Sequence, residues 1–240
     1  MRREQWILLG GAALLVIALI MAWQFLGGGV PALEGPGNAE AHYQAGKAAS
    51  ARGDLTTAIA EFEAAVKLRP DYAEAHYALG VAYTKQGEAY VQGNQLTEAG
   101  AAYGKAVAAY QKVIALQPDK TDAYINLGNV YIQTGQLDQA IAVLRRAVEL
   151  SPTDPDAHYN LGAAYQFDKQ YDQAITTFQK VLELDANYAN AYLGLGYAYK
   201  EKGEKEKAIQ AFETFLKLSQ DPVYRKQAEE QLAALKSQGS

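Results

Sequence analysis

The chain has 240 residues, no cysteine and a formal net charge of −5, with 22 Lys and Arg against 27 Asp and Glu. Without cysteine there is no disulfide framework, thiol nucleophile or thiolate metal site. The acidic balance argues against nucleic acid as a partner, because phosphate backbones are bound by basic stripes.

The first predicted element follows a short amino-terminal segment, 1–5, that carries Arg2, Arg3 and Glu4. Residues 6–26, from Trp6 to Leu26, hold no charged side chain. At 1.5 Å per residue a helix of that length reaches about 30 Å, the thickness of a bilayer's hydrocarbon core. A single transmembrane helix is predicted, with Trp6 and Trp23 near its two interfaces. Arg2 and Arg3 precede it and no cation follows until Lys47. The positive-inside rule then keeps 1–5 in the cytoplasm and places the rest on the periplasmic side of an inner membrane. Gly27 and Gly29 leave a cleaved secretory signal as the alternative. Outside residues 1–26 there remain 20 basic against 26 acidic residues, a charge of −6. Residues 27–38 hold five glycines and two prolines, the composition of a flexible tether.

Beyond the tether the chain repeats itself. Gly46, Gly80, Gly128, Gly162 and Gly196 are spaced by 34, 48, 34 and 34 residues; Ala140, Ala174 and Ala208 keep the spacing of 34. Pro70, Pro118 and Pro152 mark unit ends. Each unit holds two helical stretches. In 123–134, Tyr124, Leu127, Val130 and Tyr131 share one face; in 138–150, Ala140, Ile141, Leu144, Ala147 and Val148 do. Gly135 closes the first stretch and Pro152 stops the second. A hairpin of this size cannot bury its apolar faces alone, so the units must stack.

The series Tyr124, Leu127, Gly128, Tyr131, Ala140, Leu144 and Pro152 resembles the tetratricopeptide repeat, as does His158, Leu161, Gly162, Tyr165, Ala174 and Phe178. The resemblance implies an all-α, right-handed solenoid of five helical hairpins, 39–72, 73–120, 121–154, 155–188 and 189–222. A capping helix over 223–236 carries Tyr224, Ala228, Leu232 and Leu235 on its packing face, and a disordered tail over 237–240 follows. Ala45, Ala49, Lys169 and Gln220 depart from the pattern.

The second unit is longer than its neighbours by 14 residues, or two heptads. If each helix gains seven, both keep their faces in phase, since seven residues make about two turns. Leu79, Tyr83 and Tyr90 continue one face; Leu96, Tyr103 and Tyr110, with Ala99, Ala106 and Val113, repeat at seven in the other. A turn at Gly93 and Asn94 would join them. The expected result is a hairpin projecting about 10 Å, with Tyr90 and Val91 at a possible docking tip. A loop over 88–101 is the alternative, because Gly87, Gly93, Gly100 and Gly104 each weaken a helix.

No residue pattern points to catalysis, a cofactor or a metal, so the chain is not expected to be an enzyme. His42, His76 and His158 each occupy the fourth position of a repeat, without a carboxylate or second histidine at i+3 or i+4. Gly194-Leu195-Gly196 is the repeat's own Leu-Gly pair inside a helix, not a dinucleotide fingerprint.

By the resemblance, the first helices line a concave, protein-binding groove. Its fifth positions are Tyr43, Tyr77, Ile125, Tyr159 and Leu193, and its ninth include Asn129 and Tyr197. Glu40, Glu74, Asp122, Asp156 and Asn190 form a mostly acidic edge. The expected partners are proteins or peptides with apolar anchors and basic flanks. The expected function is a membrane-anchored scaffold or adaptor that positions partners on the extracytoplasmic side. A constitutive subunit of a larger membrane complex and a cytoplasm-facing targeting receptor are the alternatives.

Overall fold

A computed structural model describes residues 36–237; the predicted transmembrane segment 6–26 and the tail's last residues, 238–240, lie outside the described residues. The described residues form eleven helices and no strand. Contacts divide the chain into two compact units, one ending at Tyr72 and the other starting at Ala73. Among the described residues no helix is long and apolar enough to cross a membrane.

The first unit holds α1 (Pro36–Ala51) and α2 (Leu55–Leu68). Helix α1 begins inside the segment expected to be tether, which therefore cannot extend to residue 38. Proline suits a first helical turn, because its fixed φ is already helical and its missing N–H is not needed there. Ala58, Ile59, Phe62 and Ala65 form the buried face of α2. Asp54 caps that helix by accepting a hydrogen bond from the Thr57 backbone N–H at 3.1 Å.

The second unit holds four hairpins and a last helix. Its elements are α3 (Ala73–Gln92), α4 (Leu96–Leu116), α5 (Thr121–Gln133), α6 (Leu137–Leu150), α7 (Pro155–Phe167), α8 (Tyr171–Leu184), α9 (Ala189–Glu201), α10 (Lys205–Leu218) and α11 (Pro222–Ser237). First helices α5, α7 and α9 have 13 residues and second helices α6, α8 and α10 have 14. Helices α3 and α4 have 20 and 21, so the fourteen additional residues divide evenly and are helical.

Close approach within each hairpin depends on a glycine opposite a large side chain. A Cβ on Gly80 would lie 2.7 Å from the Tyr110 ring, one on Gly162 2.7 Å from Phe178, and one on Gly196 2.5 Å from Phe212. The long hairpin uses the device twice, since a Cβ on Gly87 would lie 2.5 Å from Tyr103. Gly87 and Tyr103 stand one heptad beyond Gly80 and Tyr110 in this antiparallel pair.

Leu96 departs from its expected place on the packed face and is 66% exposed. It is the first residue of α4, where α3 has already ended and offers no opposing side chain. Tyr224 likewise is 45% exposed rather than packed. In α11 the residues that seat the helix are Ala228, Leu232 and Leu235, at the spacing of Ala157, Leu161 and Ala164 in α7. Tyr224 lies in the turn before them. Lys226, Glu229 and Lys236 on α11 face solvent, which ends the stack with a polar surface.

Candidate protein-binding face

In the second unit, consecutive first helices lie side by side: α3 touches α5, α5 touches α7 and α7 touches α9. Second helices make no comparable contact with one another. The stack is therefore tighter on the first-helix side and curves toward it.

That inner face presents half-buried Tyr77 and Val81 from α3, Ile125 and Asn129 from α5, Tyr159 and Ala163 from α7, and Tyr197 from α9. They recur because the fifth and ninth positions of a helix lie on one face, four residues apart. Leu193 is the exception: it is only 8% exposed and belongs to the cluster with Phe212, Phe215 and Ala228. Tyr43 lies in the first unit, where its ring packs on Phe62 and Tyr72 at centroid distances of 6.0 and 5.0 Å.

Several of these rings are partly structural. Asn126 Nδ2 donates to Tyr77 Oη at 2.7 Å, joining α5 to α3, while the Tyr77 ring meets Tyr110 edge-on at 5.9 Å. Tyr159 packs on Phe178 at 5.8 Å and Tyr188 at 5.2 Å. Burial pushes the Tyr77, Tyr159 and Tyr197 phenols above their ordinary range. The Glu230 carboxylate of α11 adds to the upward shift at Tyr197.

The expected acidic edge is largely engaged within the chain. Tyr72 Oη donates to Glu40 Oε2 at 2.5 Å, and Tyr188 Oη donates to Asp156 Oδ1 at 2.7 Å across the same 32-residue separation. Lys120 Nζ lies 3.1 Å from Asp122 Oδ2. These acids are held by partners within the chain and have less to offer a basic partner than their spacing in the sequence implied.

The fourth-position side chains share a structural role. His158 Nε2 donates to the Pro152 carbonyl at 2.9 Å, Tyr124 Oη to Pro118 at 3.1 Å and Tyr192 Oη to Ala186 at 3.3 Å. Each reaches six residues back and satisfies a carbonyl in the turn before its helix. His42 Nδ1 instead lies 2.6 Å from Glu61 Oε2. No group of three or more His, Asp or Glu side chains could hold a metal among the described residues.

One cleft was not legible in the sequence. Between α6, α7 and α8 a cavity of about 590 Å³ lies over Val148, Leu161 and Tyr165. Three of its charged walls are engaged elsewhere: Asp172 with Lys202 at 2.5 Å, Glu149 with Arg146 at 3.0 Å and Lys180 with Glu183 at 2.9 Å. Its residues come from three helices at unequal offsets, so no single period announces them.

The expected docking tip divides. Val91 is 47% exposed, whereas Tyr90 is half-buried beside Gln86, Ala101 and Lys105.

Comparison with known proteins agrees with this architecture. A family model described as TPR repeat matches residues 50–87, 93–135, 128–166 and 169–203, and a tetratricopeptide repeat model matches 189–222. No curated protein matches at the sequence level. Among solved structures, MamA 41-end from Desulfovibrio magneticus RS-1 is 26% identical, covering 76% of this chain and 97% of its own at a TM-score of 0.66. Another MamA structure is 27% identical, covering 72% and 92% at 0.62. YrrB, a TPR protein with an unusual peptide-binding site, is 24% identical, covering 79% and 90% at 0.59, and shows likeness of fold alone. With repeat models matching most of its length, the chain belongs to the tetratricopeptide repeat family.

Proposed function

We propose that the chain is a membrane-anchored adaptor whose second unit captures a segment of a partner protein on its first-helix face. The observation that carries this reading is the half-buried band of Val81, Ile125, Asn129 and Ala163, framed by Tyr77, Tyr159 and Tyr197 on the inner side of a curved stack. Apolar side chains on such a band give area, and Asn129 supplies one donor and one acceptor for a partner backbone. The partner offers apolar anchors; basic flanks would meet carboxylates such as Glu74 and Glu230. Anchoring rests on the uncharged run 6–26, and an extracytoplasmic placement on Arg2 and Arg3 before it.

Asn129→Arg introduces a bulky cation at the centre of the band without touching the hairpin cores. It should lower partner capture at least about tenfold, the scale of a blocked interface centre, with the melting transition unchanged. Undiminished capture by the folded variant would place the binding surface elsewhere. Protease treatment of spheroplasts tests the topology: an extracytoplasmic second unit is digested, and a cytoplasmic one survives.

A further inference from the structure

Nine consecutive residues at the apex of the long hairpin, Ala89 to Thr97, carry no charge. Helix α3 exceeds the neighbouring first helix by seven residues, so the apex stands about 10 Å beyond the adjacent hairpin. At its end Val91 and Leu96 are exposed among the neutral side chains of Gln92, Asn94 and Gln95. An apex of this composition enters a lipid headgroup layer without desolvating a charge, and its two aliphatic side chains gain an apolar environment. Glu88 and Glu98 flank it, which favours zwitterionic over anionic headgroups.

We infer that Val91 and Leu96 form a second, reversible contact with the bilayer surface. The argument for lipid comes from the chain outside the described residues. The uncharged run ends at Leu26, and nine residues, 27–35, separate it from Pro36, where α1 begins. Nine extended residues span at most about 30 Å, so the first unit is held near the membrane, and the second is covalently joined to it at Ala73. This inference rests on residues 6–26 being a membrane span. Two aliphatic side chains bind a bilayer weakly by themselves, but a tether to the same membrane supplies an effective concentration on the order of mM. A second copy of the chain fits less well, because the apex is far smaller than the roughly 800 Å² per partner of a stable interface.

The chain has no cysteine, so single cysteines can carry a fluorophore without background. Full-length chain bearing the probe at Leu96→Cys, Ala142→Cys or Val16→Cys is reconstituted into phosphatidylcholine vesicles with brominated acyl chains. The probe at 96 should lose about half its emission, that at 16 more, and that at 142, on the exposed face of α6, almost none. Adding Val91→Asp to the Leu96→Cys chain should restore the emission at 96. Quenching at 16 without quenching at 96 overturns the apex contact and leaves the anchor standing. Absence of quenching at both positions overturns both. A blue shift at 96 without quenching means that protein, not lipid, covers the apex, and the inference fails.

Discussion

Lys169 adopts a φ of +61° in the turn between α7 and α8. The equivalent turns place Gly53, Gly135 and Gly203 at +76°, +73° and +75°, and the long hairpin places Asn94 at +56°. A side chain in this left-handed region costs about 1 kcal/mol or more, because its Cβ crowds the carbonyl. Lys169→Gly should therefore raise stability by about 1 kcal/mol in chemical denaturation. A neutral or negative effect would show that the lysine side chain contributes more than its strain. At the fourth position, His158 exchanges with tyrosine across the repeats because either donates to the carbonyl six residues upstream. His158→Tyr should be tolerated, whereas His158→Phe should cost about 1 kcal/mol, the value of one lost hydrogen bond. Equal losses in the two variants would assign the role to packing alone. The sequence shows that the three histidines share a repeat position, but the acceptor carbonyls carry no side-chain signature, so the hydrogen bonds could not be read from it.

At the scale of the element, the glycines that weigh against a helical extension, Gly87, Gly93, Gly100 and Gly104, separate by environment. Gly87 faces Tyr103, while Gly100 and Gly104 on α4 meet nothing within 4 Å. Gly87→Ala should destabilise by about 1 to 3 kcal/mol through overpacking. Gly100→Ala should stabilise by up to about 1 kcal/mol, because only helix propensity changes. Urea unfolding of the two variants, which should move midpoints in opposite directions, checks this; shifts of one sign would remove the close-approach account. In sequence, all four weighed equally against a helix. The heptad offsets of Tyr103 and Tyr110 indicated the helical extension, since two heptads preserve both faces. What a pattern of faces could not show is where a face ends: Leu96 keeps the phase of Tyr103 but lies past the end of its partner helix.

Over the whole molecule, the spacing of 34 made the hairpins legible because each must reproduce the same contact between a glycine and a large side chain, Phe62, Tyr110, Leu144, Phe178 or Phe212. The inner band followed from position within the repeat, and six of its seven predicted residues fall in the second unit. Leu193 was misplaced, since a fifth position can turn into the core where a neighbouring cluster closes over it. The acidic edge was also overread, because Tyr72, Tyr188 and Lys120 lie 32, 32 and two residues from the acids they engage, outside the 34-residue period. The division after Tyr72 has no counterpart in composition, for the repeat pattern runs through it unchanged.

Photocrosslinking in cells, with a benzophenone amino acid replacing Asn129 or, as a reference, Ala142, tests the binding face most directly. The account predicts a discrete protein adduct from position 129 and none from position 142. Adducts from position 142 with none from 129 would contradict it and move recognition to the outer surface of the stack.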